Sequence, residues 1–390
     1  MLRIKQGDNL YIFELFLLAG ICLCLMLRKS SLVSLLFYLT FFVLMAGLVL
    51  QLRSKPKLNE LHVLAILTVV ISFFHVALQT DTMAFGYYKK LIMFSCTALM
   101  IPFVDTIQPT KKYVNWILGI NLGIAVLYPV MYFFSDDPGY MGLYLTFHHS
   151  NPNETAMFLL HSMLYCGIAL YYFKKRIFRL FFLALTLILG YFVYLTRARS
   201  CYIAIAFFVI LVFFNMGLKK NVKFSPGLSL LVLLLPLIIA LGYMALVETE
   251  LLERFFHFLA LGDGKALDSR LSIWSEALTA FVGKPIFGDY LGITTGGSVH
   301  SQMHNIHMDV LASYGIIPFV LFIMLLYRGV LRVLSGTTTN FSRMALFAFF
   351  TIIIQGTFEA AMVSGGVGLY ILSFGFLLLV KYGEQNDEDG

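Results

Sequence analysis

Charge is scarce in this sequence. Only 13% of its 390 residues are charged, while 59% are hydrophobic and 16% aromatic. A water-soluble domain cannot hide that much apolar surface, so the composition excludes an ordinary globular protein and predicts a chain solvated by lipid. Cysteine is scarce too. Cys22, Cys24, Cys96, Cys166 and Cys201 lie in or beside apolar runs, with no C-x-x-C and no paired spacing. Free, buried thiols are expected, not a disulfide framework. No small-residue cleavage site follows Arg3 and Lys5, which predicts a retained first span and not a signal peptide. The net charge of +7 is spread over short segments without interleaved stacking aromatics, so membrane topology accounts for it and nucleic acid is not an expected partner.

What is present is one apolar run after another. Runs of roughly 17 to 22 apolar residues suit a bilayer crossing. They predict twelve spans, near 10–27, 31–50, 61–79, 91–107, 113–134, 154–173, 180–196, 201–217, 228–247, 310–327, 344–358 and 367–380. The expected fold is therefore an all-α integral membrane protein. It divides into residues 1–247 with nine spans, a large extracytoplasmic segment over 248–309, and residues 310–390 with three spans and a short acidic tail. If the N-terminus is inside, 18 of the 28 basic residues fall in inner segments and six in short outer loops, which places both termini in the cytoplasm. No repeat of 20 to 50 residues is visible, nor a matched pair of Gly/Pro-broken spans of the kind found in inverted-repeat transporters.

The segment from Glu248 to Asp309 is the one long polar stretch, and it holds His257, His300, His304 and His307. Titratable groups gathered in one outer segment of a membrane protein point to chemistry or to a charged ligand. Residues 248–260 have an amphipathic pattern suited to the membrane surface. After Gly262-Asp263-Gly264 a second helix is expected to start near Asp268, as its N-cap, and to stop before Pro285, with Arg270 in its first turn on the same side as Trp274. An arginine at the positive end of a helix dipole wants an anionic partner, either Asp268 or a phosphate. His304 is expected to open the helix that runs into the tenth span.

Other outer residues carry alternatives. Asn153 can cap the helix starting at Glu154 or bind sugar or phosphate. Arg197 and Arg199 are two apart on a short turn, so at most one is expected to face a central cavity. Glu14 and Asp105 lie near span ends, where interfacial water can reach them. His300, His304 and His307 with Asp309 have spacings that allow zinc, but no H-E-x-x-H or nearby cysteine supports it, and no metal or cofactor is expected. There is no P-loop, no G-x-G-x-x-G after a strand and no outer D-x-D, so neither ATP hydrolysis nor a metal-bound nucleotide sugar has a seat. Outward arginines, a boundary histidine and an apolar body fit a polyprenyl-diphosphate-linked sugar, whose leaving group needs charge neutralisation and whose acceptor hydroxyl needs a base.

In order along the chain stand Asn151-Pro152-Asn153, Thr196-Arg197-Ala198-Arg199-Ser200, Arg270 with Trp274, Pro285 with Gly288, and His304-Asn305 leading to Tyr314-Gly315. That order, over roughly residues 145–330, resembles the O-antigen ligase and polymerase family. The resemblance implies a metal-independent, GT-C-like glycosyltransferase of the bacterial inner membrane that moves glycan from undecaprenyl diphosphate to an acceptor. It implies catalytic roles for Arg199, Arg270 and His304, the last as base; substrate contacts are expected from Arg197, Asn151, Asn153, Asn305 and Trp274. Arg197 stands where the family more often has a small residue, and Gly288-Asp289-Tyr290-Leu291-Gly292 departs from closer family glycines. Polymerisation of surface polysaccharide is the expected activity, with ligation to a lipid-anchored core sugar as the alternative, and other polysaccharide-assembly membrane proteins are expected neighbours. A lipid or glycan transporter, with the long segment as a gate, is the alternative of a different class.

Overall fold

In the computed structural model, the residues described are 4–28, 58–79, 88–217, 224–246, 265–289, 294–295, 298–299, 303–334, 339–360, 362–363 and 369–385, with the pairs 32–33, 35–36, 39–40, 42–43 and 46–47. The expected surface helix over 248–260, together with His257 and His300, lies outside them. Among the described residues the chain is helical. The helices are α1 (Ile4–Met26), α2 (Glu60–Gln79), α3 (Tyr88–Thr106), α4 (Lys111–Phe134), α5 (Pro152–Tyr172), α6 (Arg176–Thr196) and α7 (Arg199–Gly217). They continue as α8 (Pro226–Leu246), α9 (Lys265–Gly283), α10 (Ile306–Tyr314), α11 (Ile316–Leu334), α12 (Asn340–Gln355) and α13 (Leu369–Gln385). Two small antiparallel hairpins, β1 (Tyr140–Met141) with β2 (Tyr144–Leu145) and β3 (Thr294–Thr295) with β4 (Ser298–Val299), occupy loops.

Six of these helices, namely α2, α4, α5, α6, α8 and α11, are long and apolar enough to cross a membrane by length and composition. Shorter apolar helices are Leu10–Met26, Arg199–Asn215, Asn340–Gln355 and Leu369–Gly383. Helices suit lipid because each backbone N–H and C=O is satisfied within its own segment. α5, α12 and α13 form the inner layer, buried along nearly their whole length, whereas α6 turns Ile177, Leu180, Leu187, Tyr191 and Tyr194 outward. An apolar residue facing outward is expected of a helix whose solvent is hydrocarbon.

Loop contacts sort the helix ends into two groups. At one end Arg28 pairs with Asp137, Lys90 with Asp309, and Arg270 with Glu359. At the other, Arg328 pairs with Glu60, Arg332 with Asp105, and Lys381 donates to the carbonyls of Asp105 and Ile107. The second group joins the segments that the basic residues mark as inner, and the first those marked as outer. Asp105, expected near interfacial water, ties two of these loops together: it accepts from Arg332 at 2.8 Å and from Asn59 at 3.1 Å. Glu14 differs from expectation. It is 1% exposed inside α1, and neither carboxylate oxygen has a hydrogen-bond partner among the described residues. All five cysteines are free, and four of them are buried.

Three expected boundaries move. α9 starts at Lys265, so Asp268 lies within the helix and is not its cap, and Arg270 falls in the second turn. The expected tenth span is two helices, because Gly315 takes φ 85° between α10 and α11 and stops the first. His304 does not open α10. Asn305 caps it, accepting from the N–H groups of His307 and Met308.

Gly315 also explains Pro285 and Gly288. The Ile316 N–H donates to the Pro285 carbonyl at 2.9 Å and the Asp289 N–H to the Ala312 carbonyl at 2.6 Å, so the chain after α9 lies directly on the α10–α11 break. A Cβ on Gly288, itself at φ 66°, would stand 2.6 Å from the Gly315 nitrogen, and one on Gly315 would strike the Ile286 carbonyl. Both positions need left-handed backbone and close approach. Gly315→Ala is therefore expected to cost at least about 1–3 kcal/mol in backbone strain. Gly119→Ala, whose Cβ would meet nothing within 4 Å, is the control. Thermal unfolding in detergent checks both, and equal melting temperatures would refute the docking role.

Candidate functional site

The site forms where four stretches of chain meet, three of them around a residue that the sequence did not flag. After α12 ends at Gln355, a turn carries Phe358 and Glu359 back over the helix end. Glu359 Oε1 accepts from Arg270 Nη2 at 2.9 Å and from Asn153 Nδ2 at 2.9 Å, and Oε2 lies 3.0 Å from His304 Nδ1. Three residues chosen from sequence, Asn153, Arg270 and His304, are thus brought onto one carboxylate from well-separated stretches of the chain. A lone acidic residue at the end of an apolar run was the available signal.

Each partner is delivered by local structure. Asn151, not Asn153, caps α5: its side chain accepts from the Glu154 N–H at 2.8 Å, and Pro152 takes the first helical position. This corrects the expected cap and leaves the Asn153 amide to reach Glu359. On α9, Arg270 and Trp274 are four apart and share a face. Arg270 lies over the Phe358 ring with 5.7 Å from its guanidinium carbon to the centroid, and Trp274 is buried with Nε1 donating to the Met303 carbonyl at 2.9 Å. The expected substrate contact of Trp274 is replaced by a structural one, because its only polar atom is spent holding the turn that carries His304. Asn305 is likewise structural. It is 0% exposed, caps α10 and donates to the carbonyls of Pro236 and Thr357 at 2.9 and 3.0 Å, which uses its amide fully. A buried Asn with four bonds has nothing left for a substrate.

His304 sits at φ 49°, between the anchored Met303 and the capping Asn305. Non-glycine residues in this region are uncommon and mark strain that surrounding contacts must hold. Those contacts are the Trp274 bond, the Met303 N–H to Asp309 Oδ1 at 3.4 Å, and the Ile306 N–H to the Gly356 carbonyl at 2.8 Å. Asp309 is in turn held by Lys90 Nζ at 2.6 Å.

The electrostatics are asymmetric. Glu359 is 5% exposed, Arg270 19% and His304 32%, so the histidine is the open member. A carboxylate oxygen accepts, so the bond to Glu359 Oε2 is made with the proton on His304 Nδ1, which leaves Nε2 as the nitrogen not engaged by Glu359. Burial pulls the Arg270 guanidinium below its ordinary range, Glu359 opposes that shift, and the nearby Arg199 charge adds to it. Arg199, at the start of α7, is partly buried, and its Nη1 is enclosed without a hydrogen-bond partner among the described residues. Arg197 goes elsewhere: it is exposed at the left-handed end of α6 (φ 55°), with its guanidinium 5.7 Å from the Tyr144 ring centroid. Of the two arginines on that turn, Arg199 faces the cluster.

Among the described residues His307 and Asp309 do not join His304 as a zinc set. The His307 ring is buried edge-on to Phe319 at 5.7 Å, Asp309 is paired to Lys90, and His304 is on Glu359. Two nearby histidines are buried apart from this cluster. His149 stacks on Phe158 at 5.0 Å with neither ring nitrogen bonded among the described residues, and His307 is unbonded in the same way.

Burial pushes His149 from 6.5 down to about 4, with the Glu154 charge opposing and the His148 charge adding, and burial pushes His307 down to about 3. An imidazole with a folded-state pKa below its unfolded value holds fewer protons folded than unfolded, so stability rises with pH through the window between them. The protein is therefore expected to lose stability as pH falls from about 6.5 toward 4, by about 3 kcal/mol for a single such histidine. His149→Phe keeps the stack and removes the titration, so its melting temperature should fall less between pH 7 and pH 4.5 than that of the wild type; an identical fall would refute the assignment. In comparisons with known proteins, no protein-family model matches this sequence and no curated protein does.

Proposed function

We propose that this chain is a multi-pass membrane glycosyltransferase that moves glycan from an undecaprenyl-diphosphate-linked donor to a glycan acceptor, polymerising the repeat units of a surface polysaccharide. The observation that carries this reading is the charge pattern of the site. Arg270 is paired with one buried carboxylate, and the neighbouring Arg199 guanidinium keeps an enclosed, unbonded Nη1 among the described residues. Such a cluster holds surplus positive charge in a partly dry place, which suits a diphosphate. Beside it stands a histidine with its Nδ1 on a carboxylate and its other nitrogen open, the arrangement of a general base.

In the reaction, the acceptor hydroxyl oxygen bonds to the donor's anomeric carbon while the bond from that carbon to the diphosphate oxygen breaks. The bonding pair leaves with the diphosphate, whose charge Arg199 and Arg270 neutralise. The hydroxyl proton passes to His304 Nε2. Glu359 stabilises the imidazolium that results, as a carboxylate does behind a catalytic histidine. No bound metal is called on, because the guanidiniums carry the charge. The proposed setting is the inner membrane of a bacterium, with twelve spans, both termini cytoplasmic, residues 248–309 outside, and other polysaccharide-assembly proteins as neighbours. Ligation to a lipid-anchored core sugar uses the same donor chemistry and differs only in the acceptor.

Incubating purified protein with lipid-linked repeat units should yield longer chains, and absence of extension with every acceptor tried would refute the polymerase. Within that assay the two key residues should fail differently. His304→Asn suits the left-handed backbone and cannot act as base, so turnover should fall by roughly 10²- to 10⁴-fold with donor binding nearly intact. Arg270→Lys keeps charge but loses the planar fork, so donor binding and turnover should both weaken. A fully active His304→Asn enzyme would remove His304 from the mechanism.

Orientation is tested separately. A reporter fused after Gly262 should be outside and one after Lys220 inside. Finding both on one side would end the topology.

A further inference from the structure

We infer that Glu359 is an internal counter-anion, which holds Arg270 while the site is empty and gives it up to the incoming diphosphate, so that donor binding and readiness of the base are coupled. The inference rests on the diphosphate reading above and adds a resting state and a switch to it.

Three observations carry it. First, the carboxylate already uses Arg270 as an anion would, with Oε1 on Nη2 at 2.9 Å. A phosphate oxygen wanting the same guanidinium edge must compete with it. Second, Glu359 can let go without being orphaned. Oε1 is shared with Asn153 Nδ2 at 2.9 Å and Oε2 has His304 Nδ1 at 3.0 Å, so two donors remain after Arg270 turns away. That matters because a buried charge left without any partner is strongly destabilising, whereas one that keeps its hydrogen bonds is tolerated. Third, the charges balance only in sequence. Arg199, Arg270 and Glu359 together carry one net positive charge when His304 is neutral. A diphosphate diester brings two negative charges and turns the sum to −1, an excess that favours the proton His304 must accept. Binding the donor therefore releases the carboxylate to the histidine and supplies the field that favours its imidazolium.

A merely structural Glu359 would behave differently on substitution. Its removal would loosen Arg270 and weaken anion binding. A competing Glu359 gives the opposite sign, since removing its charge leaves Arg270 unopposed. Turnover should fall in both cases, because Gln at 359 can donate its amide to Nδ1 and push the imidazole proton onto Nε2, the tautomer that cannot act as base. Binding, not activity, is thus the discriminating readout.

The test uses full-length protein in detergent or nanodiscs, titrated with inorganic pyrophosphate and with farnesyl diphosphate. Glu359→Gln should bind farnesyl diphosphate about 5- to 30-fold tighter than the wild type, the range that one released, partly desolvated pair implies, while chain extension falls. The gain should vanish in the Arg270→Gln background, because the two residues act through one pair. A gain for farnesyl diphosphate alone places the lipid-linked diphosphate in the site, and a gain for both places the diphosphate group itself there. If Glu359→Gln does not fold, Glu359→Asp replaces it: it keeps the charge, but its shorter arm lengthens the bond to Arg270, so a smaller tightening in the same direction is expected. Equal or weaker binding in a folded variant, or a gain that persists without Arg270, would overturn the switch and leave the diphosphate site standing. Failure of the wild type and of every folded variant to bind either probe would remove the diphosphate reading itself, and the switch with it.

Discussion

A carboxylate that is almost wholly enclosed has to be accounted for before anything else in this molecule. Taking such an ion out of water costs several kcal/mol, and only good hydrogen bonds from charged and polar partners offset that. Glu359 gathers them from three separate stretches of chain: Asn153 at the start of α5, Arg270 on α9 and His304 before α10. Removing any one leaves the others to satisfy a buried charge. The convergence of those loops and the chemistry of the site therefore have the same physical cause.

A further ring of contacts keeps that geometry narrow. The left-handed turn at His304 persists because Trp274 and Asp309 fix Met303 on one side and Asn305 ties the next residue to Pro236 and Thr357 on the other. The Lys90–Asp309 pair extends this support to α3. Beneath it, the Gly288–Gly315 crossing lets the chain leaving α9 lie against the break between α10 and α11. Of the residues that look like ligand contacts in the sequence, Asn153, Trp274 and Asn305 spend polar atoms inside the protein, Arg197 lies over Tyr144, and Arg270 and His304 meet at Glu359 with Arg199 near Arg270.

The helical framework sets the stage for this by sorting polar residues to its two ends. Asp105, Glu60, Arg328, Arg332 and Lys381 tie one set of loops together, and the site ties the other. Between them lies a body of apolar helices with exposed hydrocarbon on its rim, such as Phe133, Leu187 and Phe213. The proposed lipid-linked donor rests on these two features together, an apolar rim for its tail and two neighbouring guanidiniums for its charged head.

Apolar periodicity and length were enough to read the helical, lipid-facing class from the sequence, because hydrocarbon leaves a chain few ways to satisfy its backbone. The six long helices, the helix carrying Arg270 beside Trp274 and its stop before Pro285 all follow from local pattern. Local pattern could not separate Asn151 from Asn153 as the cap, since both are good capping residues and only the N–H geometry at Glu154 decides. Nor could it tell that Trp274 and Asn305 spend their polar atoms on backbone carbonyls, or that Arg197 lies over Tyr144 while Arg199 turns toward Arg270. Glu359 was invisible for the same reason. A carboxylate near the end of an apolar run reads as an interfacial charge until folding brings Asn153, 206 positions earlier, within hydrogen-bonding distance. Sequence determined which segments avoid water; only tertiary structure decided which polar groups share one buried charge, because that pairing is set by helix packing and not by spacing along the chain.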